Sequence, residues 1–199
     1  MKRIVLASGG LDSSTLLAIL PKEDTVALFF NYGQKCVEHE RKALRGITEK
    51  LGIPLVEKDI TDVFSSSKSD IILQKATKSN ENQYEIESRN LVFVALATSI
   101  ATQLFPNETI KVMLGIIKVG VPYPDCSAEF VEKCRELSNL CTGGKVTIEA
   151  PFADIGKDEV LLRLNQTEIL PMETWSCYYG ENEPCGSCPA CIDRKILGV

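Results

Sequence analysis

The chain has 199 residues, of which 44% are hydrophobic and 25% charged, proportions typical of globular proteins rather than of disordered or fibrous ones. Its formal net charge of -5 argues against nucleic acid as a direct partner, because neutralising phosphates requires clustered Lys and Arg. No apolar run reaches about 18 residues, and the opening MKRIVLASGGLDSS meets Gly, Asp and Ser too early for a secretory signal. We therefore expect a cytoplasmic protein with no membrane contact.

Short apolar runs alternate with segments of helical periodicity along the chain. Strands are predicted at 3–7, 25–31, 54–58, 110–115 and 146–149, and helices at 13–20, 35–51, 90–104, 128–140 and 157–164. Elements that alternate in this order predict an α/β fold, a doubly wound, Rossmann-like parallel sheet with helices on both faces. Such sheets bind ligands at the carboxyl ends of their strands, where the strand order reverses.

Two segments depart from this alternation. Residues 62–87 are polar and weakly periodic, which predicts a long loop over the binding face. Residues 175–199 combine Gly, Pro and cysteines with little periodicity, which predicts a tail organised by a metal. Since no repeat or linker divides the chain, residues 1–199 are predicted to form one domain with this tail as a part of it.

The most informative local motif is SGGLDSS, placed directly between the first predicted strand and the first predicted helix. It comprises Ser8, Gly9, Gly10, Leu11, Asp12, Ser13 and Ser14. Gly9 and Gly10 permit backbone conformations with positive φ, and successive amides at a helix N-terminus make a nest for phosphate. Asp12 is interpreted either as a cap of the helix or as a ligand of Mg²⁺ that bridges phosphates. The alternative is a tight Gly-Gly turn without a ligand.

Two other nucleotide-binding motifs are absent from this position. The sequence contains neither GxxxxGK[ST] nor GxGxxG. Instead, SGGLDSS resembles the SGGxDS signature of the PP-loop ATP pyrophosphatases, a family with an adenine nucleotide alpha hydrolase-like fold. The resemblance implies that ATP is a co-substrate, that an oxygen of the other substrate is adenylated, and that pyrophosphate is released. It also places FNYGQ, residues 30–34, near the adenine; an ordinary turn around Gly33 is the alternative.

Four of the eight cysteines are close together near the end of the sequence. They are Cys177, Cys185, Cys188 and Cys191, and the last three have two residues between neighbours. In a reducing compartment such spacing indicates metal binding rather than disulfides. Four thiolates suit tetrahedral Zn²⁺ in a structural site, since no coordination position is left open. A [4Fe–4S] cluster and a redox-active CxxC pair remain alternatives.

The two motifs together resemble those of the 7-cyano-7-deazaguanine synthase (QueC) family, in which four further segments match in order. These are YGQ at 32–34, RNLVF at 89–93, YPDC at 123–126 and the ending CY with CGSCPAC at 185–191. The resemblance implies conversion of 7-carboxy-7-deazaguanine and ammonia to 7-cyano-7-deazaguanine. ATP adenylates the carboxylate, ammonia gives an amide, and a second activation gives the nitrile. It also implies a homodimer.

The resemblance assigns roles to five residues outside SGGLDSS, the expected phosphate loop (residues 8–14). Arg89 and Asn90 are expected near the phosphates or the substrate carboxylate, and Lys157 is expected to face phosphate. Tyr123 is expected to stack on the base, and Asp125 to accept hydrogen bonds from its N–H groups. The alternatives are a helix cap at 89–90, a solvated lysine at 157 and a plain turn at 123–125.

The sequence departs from the family pattern just before YPDC, at residues 118–122, and at Cys36. The first departure leaves open a relative that stops at the amide or joins the activated deazaguanine to another amine. A tRNA thiolase or lysidine synthetase is disfavoured by the net charge. The remaining alternative is a nucleotide-binding interaction module without turnover. The only histidine, His39, is interpreted as facing solvent.

Overall fold

The computed structural model describes residues 1–72, 84–118, 123–179 and 183–199. Its strands are β1 (Lys2–Leu6), β2 (Thr25–Asn31), β3 (Leu55–Asp59), β4 (Ile110–Leu114) and β5 (Val146–Glu149). Its α-helices are α1 (Leu11–Ile19), α2 (Val37–Leu51), α3 (Arg89–Leu104), α4 (Ala128–Thr142), α5 (Lys157–Leu164) and α6 (Pro189–Leu197). Short 3₁₀ helices cover Lys22–Asp24, Thr61–Phe64, Pro124–Cys126 and Pro171–Glu173.

The strands form one parallel sheet in the order β3-β2-β1-β4-β5, which confirms the predicted fold class. From β1 the chain moves outward to β2 and β3, then returns to the other side of β1 to add β4 and β5. Ile4 accordingly has a neighbour on each side, Val26 in β2 and Val112 in β4. The strand order therefore reverses between β1 and β4, and the loop that carries SGGLDSS begins at that point.

Each face of the sheet is covered by helices, because neighbouring residues of a strand point to opposite faces. On one face Val5 is fully buried in a cluster with Leu16 of α1 and Leu164 of α5. On the other face Ile4 is fully buried with Ala97 of α3 and with Val131 of α4. Because helices pack against both faces of β1, the position of its last residue is fixed, and so is the starting point of the loop that follows.

The C-terminal tail contains one helix that the sequence interpretation missed. Helix α6 has Pro189 as its first residue, Arg194 and Lys195 in its last turn, and Gly198 after its end with φ of 74°. Pro at a helix start and Gly past its end are recognised helix boundaries. The sequence contains both signals, but the tail was interpreted from its Gly, Pro and cysteine content and not searched for helix boundaries.

Among the residues that the structure describes, no helix is both long and apolar enough to cross a membrane.

Candidate active site

The loop between β1 and α1 is held by the hydroxyl groups of two serines. Ser8 Oγ accepts a hydrogen bond from the Gly10 amide at 3.2 Å, and Ser13 Oγ accepts one from the Ser8 amide at 3.2 Å. Ser13 Oγ also donates to the Gly10 carbonyl at 3.3 Å. The first amides of α1 have no partner within the helix, as at every helix start. The loop therefore presents N–H groups at the switch point of the sheet, as an anion site requires.

The two glycines of the loop have different conformations. Gly9 has φ of 78°, as predicted, and a Cβ at this residue would lie 2.6 Å from the backbone oxygen of Glu40. Gly10 has φ of −74° and is the N-cap of α1, so only Gly9 adopts the positive φ that both glycines permit. The Gly9 carbonyl accepts a hydrogen bond from the Trp175 amide at 2.8 Å, which ties the C-terminal tail to the loop.

We expect Gly9→Ala to destabilise the fold by about 2–4 kcal/mol, because the new methyl group meets backbone atoms at a strained φ. Gly143→Ala is the matched control, since Gly143 also has positive φ (61°) but has open space where a Cβ would lie. The control should lose only about 1 kcal/mol. Urea unfolding of both variants measures the difference, and equal losses would show that Gly9 is not in close contact with α2.

Asp12 is the second residue of α1 and does not cap it. The N-cap is Gly10, and it forms no side-chain cap hydrogen bond, so the capping alternative for Asp12 is wrong. Within the described residues Asp12 Oδ1 is buried and has no hydrogen-bond partner. Burial raises the pKa of Asp12, and the charge of Lys157 opposes that rise. An unpaired carboxylate oxygen beside an anion nest fits the ligand set of a hard divalent cation.

Lys157 lies on the same side of the molecule, at the start of α5. Its Nζ is 3.1 Å from Asp193 Oδ2 of α6, and its side chain is 23% exposed. Lys157 also acts electrostatically on Asp12, whereas Asp193 opposes that effect. Lys157 is therefore a paired lysine close to Asp12 rather than a fully solvated one.

Arg89 begins α3 and lies among aromatic rings. Its guanidinium is 5.6 Å from the ring centroid of Tyr32 and 5.7 Å from that of Phe93. Its Nη1 donates to the Tyr32 hydroxyl at 3.4 Å, while its Nε is buried without a partner in the described part of the chain. Ser88, just before it, has φ of 59°, an uncommon conformation for a non-glycine residue. The cation therefore has hydrogen-bonding capacity left for an anionic ligand.

Asp125 and Asn90 contact each other across 35 residues of sequence. Asp125 Oδ2 accepts from the Asn90 amide at 2.9 Å, and Asn90 Nδ2 donates to the Asp125 carbonyl at 2.9 Å. Asp125 thus satisfies an amide at the start of α3 from another element. Tyr123 next to it is 38% exposed. Local sequence could not have indicated this cap, because it joins two distant segments.

Glu40 is a charged residue of the site that the sequence interpretation missed. Its Oε2 accepts from Gln34 Nε2 at 2.8 Å, and Gln34 is itself fully buried. Burial raises the pKa of Glu40 to about 7, against hydrogen bonds from Gln34 and Cys36 and the charge of Arg89. The local sequence EHERK is typical of an exposed helix start and gave no signal of this burial.

His39 is not solvent-facing as interpreted above. Its ring stacks on that of Trp175, with centroids 4.3 Å apart and planes at 16°. The side chain is half-buried in this contact. Trp175 therefore fastens the tail both to α2 and, through its amide, to Gly9.

We expect Glu40→Gln to stabilise the protein at pH 8 and to flatten its stability between pH 4.5 and pH 7. The folded chain keeps the Glu40 proton up to a pKa of about 7, whereas the unfolded chain loses it near 4.5, so stability falls as pH rises through this window. The full effect is at most about 3 kcal/mol. Urea unfolding at pH 5 and pH 8 checks it, with exposed Glu49→Gln as the control. An unchanged pH dependence in Glu40→Gln would contradict the assignment.

The four tail cysteines form one cluster. Their Sγ atoms all lie within 4.8 Å of one another, and Cys185 Sγ is 3.9 Å from Cys191 Sγ. The amide of Cys185 donates to Cys177 Sγ at 3.3 Å, and that of Cys188 donates to Cys185 Sγ at 3.3 Å. A tetrahedral metal with bonds of about 2.3 Å separates its sulfurs by about 3.8 Å. The cluster therefore has the donors and the spacing to bind a metal.

Three segments discussed above lie partly outside the described residues, and one of them is the tail 175–199, of which residues 180–182 lie outside. Of the expected loop 62–87, the structure describes a 3₁₀ turn over Thr61–Phe64, the chain up to Ile72 and the chain from Tyr84 onward. Residues 73–83 lie outside. Of the departing segment 118–122, only Lys118 is described; it is exposed, and its amide donates to the Ile155 carbonyl at 2.9 Å.

Comparisons with known proteins agree along nearly the whole chain. The family model described as "Queuosine biosynthesis protein QueC" matches residues 2–196. A 7-cyano-7-deazaguanine synthase of Methanocaldococcus jannaschii is 33% identical over 98% of this chain and 93% of the relative. One of Caldicellulosiruptor saccharolyticus is 34% identical over 98% and 89%. One of Sulfolobus acidocaldarius is 34% identical over 98% of this chain, which spans 45% of that longer relative.

Among solved structures, the NMN synthetase of Francisella tularensis aligns with a TM-score of 0.49 and 14% identity. The alignment covers 93% of this chain and 70% of that one.

Proposed function

Because the chain belongs to the QueC family of queuosine biosynthesis proteins, we propose that it is an ATP-dependent ligase that makes 7-cyano-7-deazaguanine from 7-carboxy-7-deazaguanine and ammonia. The observation that carries this proposal is the family match over residues 2–196. Three relatives named 7-cyano-7-deazaguanine synthase, each aligned over 98% of the chain, support it.

The reaction needs activation and no redox step. Carboxylate oxygen attacks the α-phosphorus of ATP, which releases pyrophosphate and gives an acyl adenylate. Ammonia then displaces AMP and forms the amide, with loss of a proton. A second ATP adenylates the amide oxygen and releases a second pyrophosphate, and loss of AMP together with both amide protons leaves the nitrile. The carbon keeps its oxidation level throughout, so the protein's task is positioning and charge stabilisation rather than covalent catalysis.

The loop from Ser8 to Ser14 is proposed to bind the phosphates of ATP. Its support is the nest of amides at the start of α1, at the switch point of the sheet. The unpaired Oδ1 of Asp12 suits a Mg²⁺ ion bound together with ATP, which when present neutralises phosphate charge. Lys157 is close enough to Asp12 to affect its pKa. We propose that Lys157 leaves its ion pair with Asp193 and binds the phosphates of ATP instead.

Arg89 is proposed to hold the substrate carboxylate, because its buried Nε is without a partner in the described chain. Asn90 and Asp125 hold each other at the start of α3, and we propose that they fix the direction in which Arg89 points. Tyr123 is exposed enough to stack on the base, and contact between Asp125 and the substrate stays a prediction.

The cluster of Cys177, Cys185, Cys188 and Cys191 is proposed to hold a structural Zn²⁺ ion. Four thiolates fill a tetrahedral site and leave no position for substrate.

We further propose a single domain over residues 1–199, a cytoplasmic location, a homodimer, and small molecules rather than nucleic acid as partners. The net charge of -5 supports the last point.

The test is mass spectrometry of the products after incubation of the purified protein with ATP, ammonium and 7-carboxy-7-deazaguanine. The expected products are the nitrile, AMP and pyrophosphate, with two AMP for each nitrile. Accumulation of the amide alone would identify an enzyme that stops halfway. ATP binding without any pyrophosphate release would refute the ligase and favour an interaction module.

A further inference from the structure

A second group of polar and aromatic side chains lies beside the end of β2. It consists of Lys35, Asp70, Tyr84, Tyr178 and Tyr179. The segment that carries Asp70 is tied to the residues after β2, because the Lys35 amide donates to the Ile71 carbonyl at 2.7 Å. An antiparallel bridge joins Gln34 to Ile72. Asp70 is therefore held at the carboxyl edge of the sheet, where ligands of such folds bind.

Asp70 has an unused acceptor inside this group. In the described part of the chain its Oδ1 is buried and has no hydrogen-bond partner, whereas its Oδ2 accepts from the Tyr179 hydroxyl at 3.4 Å. A buried acceptor that stays unpaired costs free energy of about 1–3 kcal/mol. The carboxylate is thus oriented by Tyr179 and keeps one oxygen for a donor from elsewhere.

Three tyrosines form a cluster beside this carboxylate, and one of them, Tyr179, contacts it directly. The Tyr84 and Tyr178 rings lie with centroids 5.3 Å apart at 48°, and the Tyr84 and Tyr179 hydroxyls are 3.2 Å apart. Lys35 Nζ is 5.1 Å from the Tyr179 ring centroid. Aromatic walls beside an acceptor suit a flat heterocycle that presents N–H donors from its edge.

This group is close to the residues assigned to the substrate carboxylate. Burial raises the pKa of Tyr178 to about 12, and Tyr123, Arg89 and Asp193 are close enough to affect this pKa electrostatically. Asp193 in turn pairs with Lys157. A heterocycle against Tyr178 would therefore lie near residues of both the proposed carboxylate site and the proposed phosphate site.

We propose that Asp70, next to the cluster of Tyr84, Tyr178 and Tyr179, recognises the N–H edge of the deazaguanine base. This inference rests on the proposed function. A guanine-type ring presents a ring N–H and an exocyclic amino group side by side. One of them can donate to the unpaired Oδ1, and the other to the remaining lone pair of Oδ2, which also accepts from Tyr179. An adenine-type ring has an acceptor in place of that ring N–H and is repelled. Asp70 is better placed than Asp125, because Asp70 Oδ1 has no partner in the described part of the chain. Both oxygens of Asp125 already accept hydrogen bonds, Oδ2 from the Asn90 amide and Oδ1 from Cys126 Sγ.

The experiment measures binding of 7-carboxy-7-deazaguanine and of its analogue without the 2-amino group, by calorimetry on the full chain. Wild-type protein should bind the analogue about 10- to 100-fold more weakly, since one hydrogen bond to a charged group is lost. Asp70→Asn should bind the parent base about 10- to 100-fold more weakly and should distinguish the two ligands by less than about threefold. Its KM for ATP should stay within about twofold of wild type, because the phosphate site is unchanged.

Asp62→Asn is the matched control, since Asp62 is an exposed aspartate of the same segment and should leave both affinities unchanged. If wild-type protein makes nitrile but Asp70→Asn binds and discriminates as wild type does, the Asp70 assignment is wrong and the proposed function stands. If an active wild-type protein binds the two ligands equally well, the Asp70 assignment is refuted without any mutation. If wild-type protein neither binds the base nor makes nitrile, the proposed function fails, and the inference fails with it.

Discussion

Asp12→Asn is expected to reduce the rate of nitrile formation by at least about 100-fold, a loss typical of removing one essential charge-stabilising group. The substitution keeps the shape of the side chain and removes the negative charge from Oδ1, which is buried and without a partner among the described residues. Since burial raises the pKa of Asp12, the carboxylate is disfavoured in the free protein. A bound cation would stabilise the negative charge of this buried carboxylate, and Mg²⁺ bound together with ATP would supply such a cation.

The control for this variant is Asp158→Asn. Asp158 is the second residue of α5, as Asp12 is of α1, so both substitutions remove the same favourable interaction with a helix dipole. Asp158 is exposed and should cost less than about 1 kcal/mol with no loss of rate. Product formation is followed by AMP release, and folding by thermal melting. An Asp12→Asn protein that turns over at the wild-type rate would overturn the assignment of the phosphate loop.

The fold was accessible from the sequence because its signals are local. Each strand is a short apolar run and each of the five predicted helices repeats apolar residues at helical spacing, so all ten elements begin and end within two residues of prediction. The order of alternation then determines a parallel sheet. Helix α6 was missed although Pro189 and Gly198 mark its ends, because a nine-residue helix between cysteines offers little periodicity.

The site was only partly accessible, because several of its contacts join distant segments. The loop from Ser8 to Ser14 and the cysteine cluster are contiguous motifs and could be recognised as such. The pairing of Asp125 with the start of α3 depends on tertiary structure, and so does the burial of Glu40. Asp70 lies in a polar stretch whose sequence indicates only a loop, and its unpaired oxygen is visible only in the folded chain.

Trp175 connects the cysteine cluster to the loop from Ser8 to Ser14. The Trp175 indole donates to the Cys177 carbonyl at 2.9 Å, and its amide donates to the Gly9 carbonyl at 2.8 Å. Arg194 of α6 donates to Thr174 Oγ1 at 2.8 Å and fixes the same segment from the other side. A metal held by the four sulfurs would therefore order a segment that directly contacts the loop proposed to bind ATP.

Cys188→Ser should consequently lose the metal, lower the melting temperature and raise the KM for ATP. Binding of a structural metal contributes on the order of 10 kcal/mol to the folding of its own segment, so removal of one thiolate should unfold the tail rather than merely loosen it.

Cys134→Ser is the matched control, because Cys134 is also buried, at 5% exposure against 1% for Cys188, but belongs to α4. Elemental analysis should give about one zinc per chain for wild type and for the control, and much less for Cys188→Ser. A full zinc content in Cys188→Ser would refute the four-thiolate site. Loss of zinc with an unchanged KM for ATP would refute its connection to the phosphate loop.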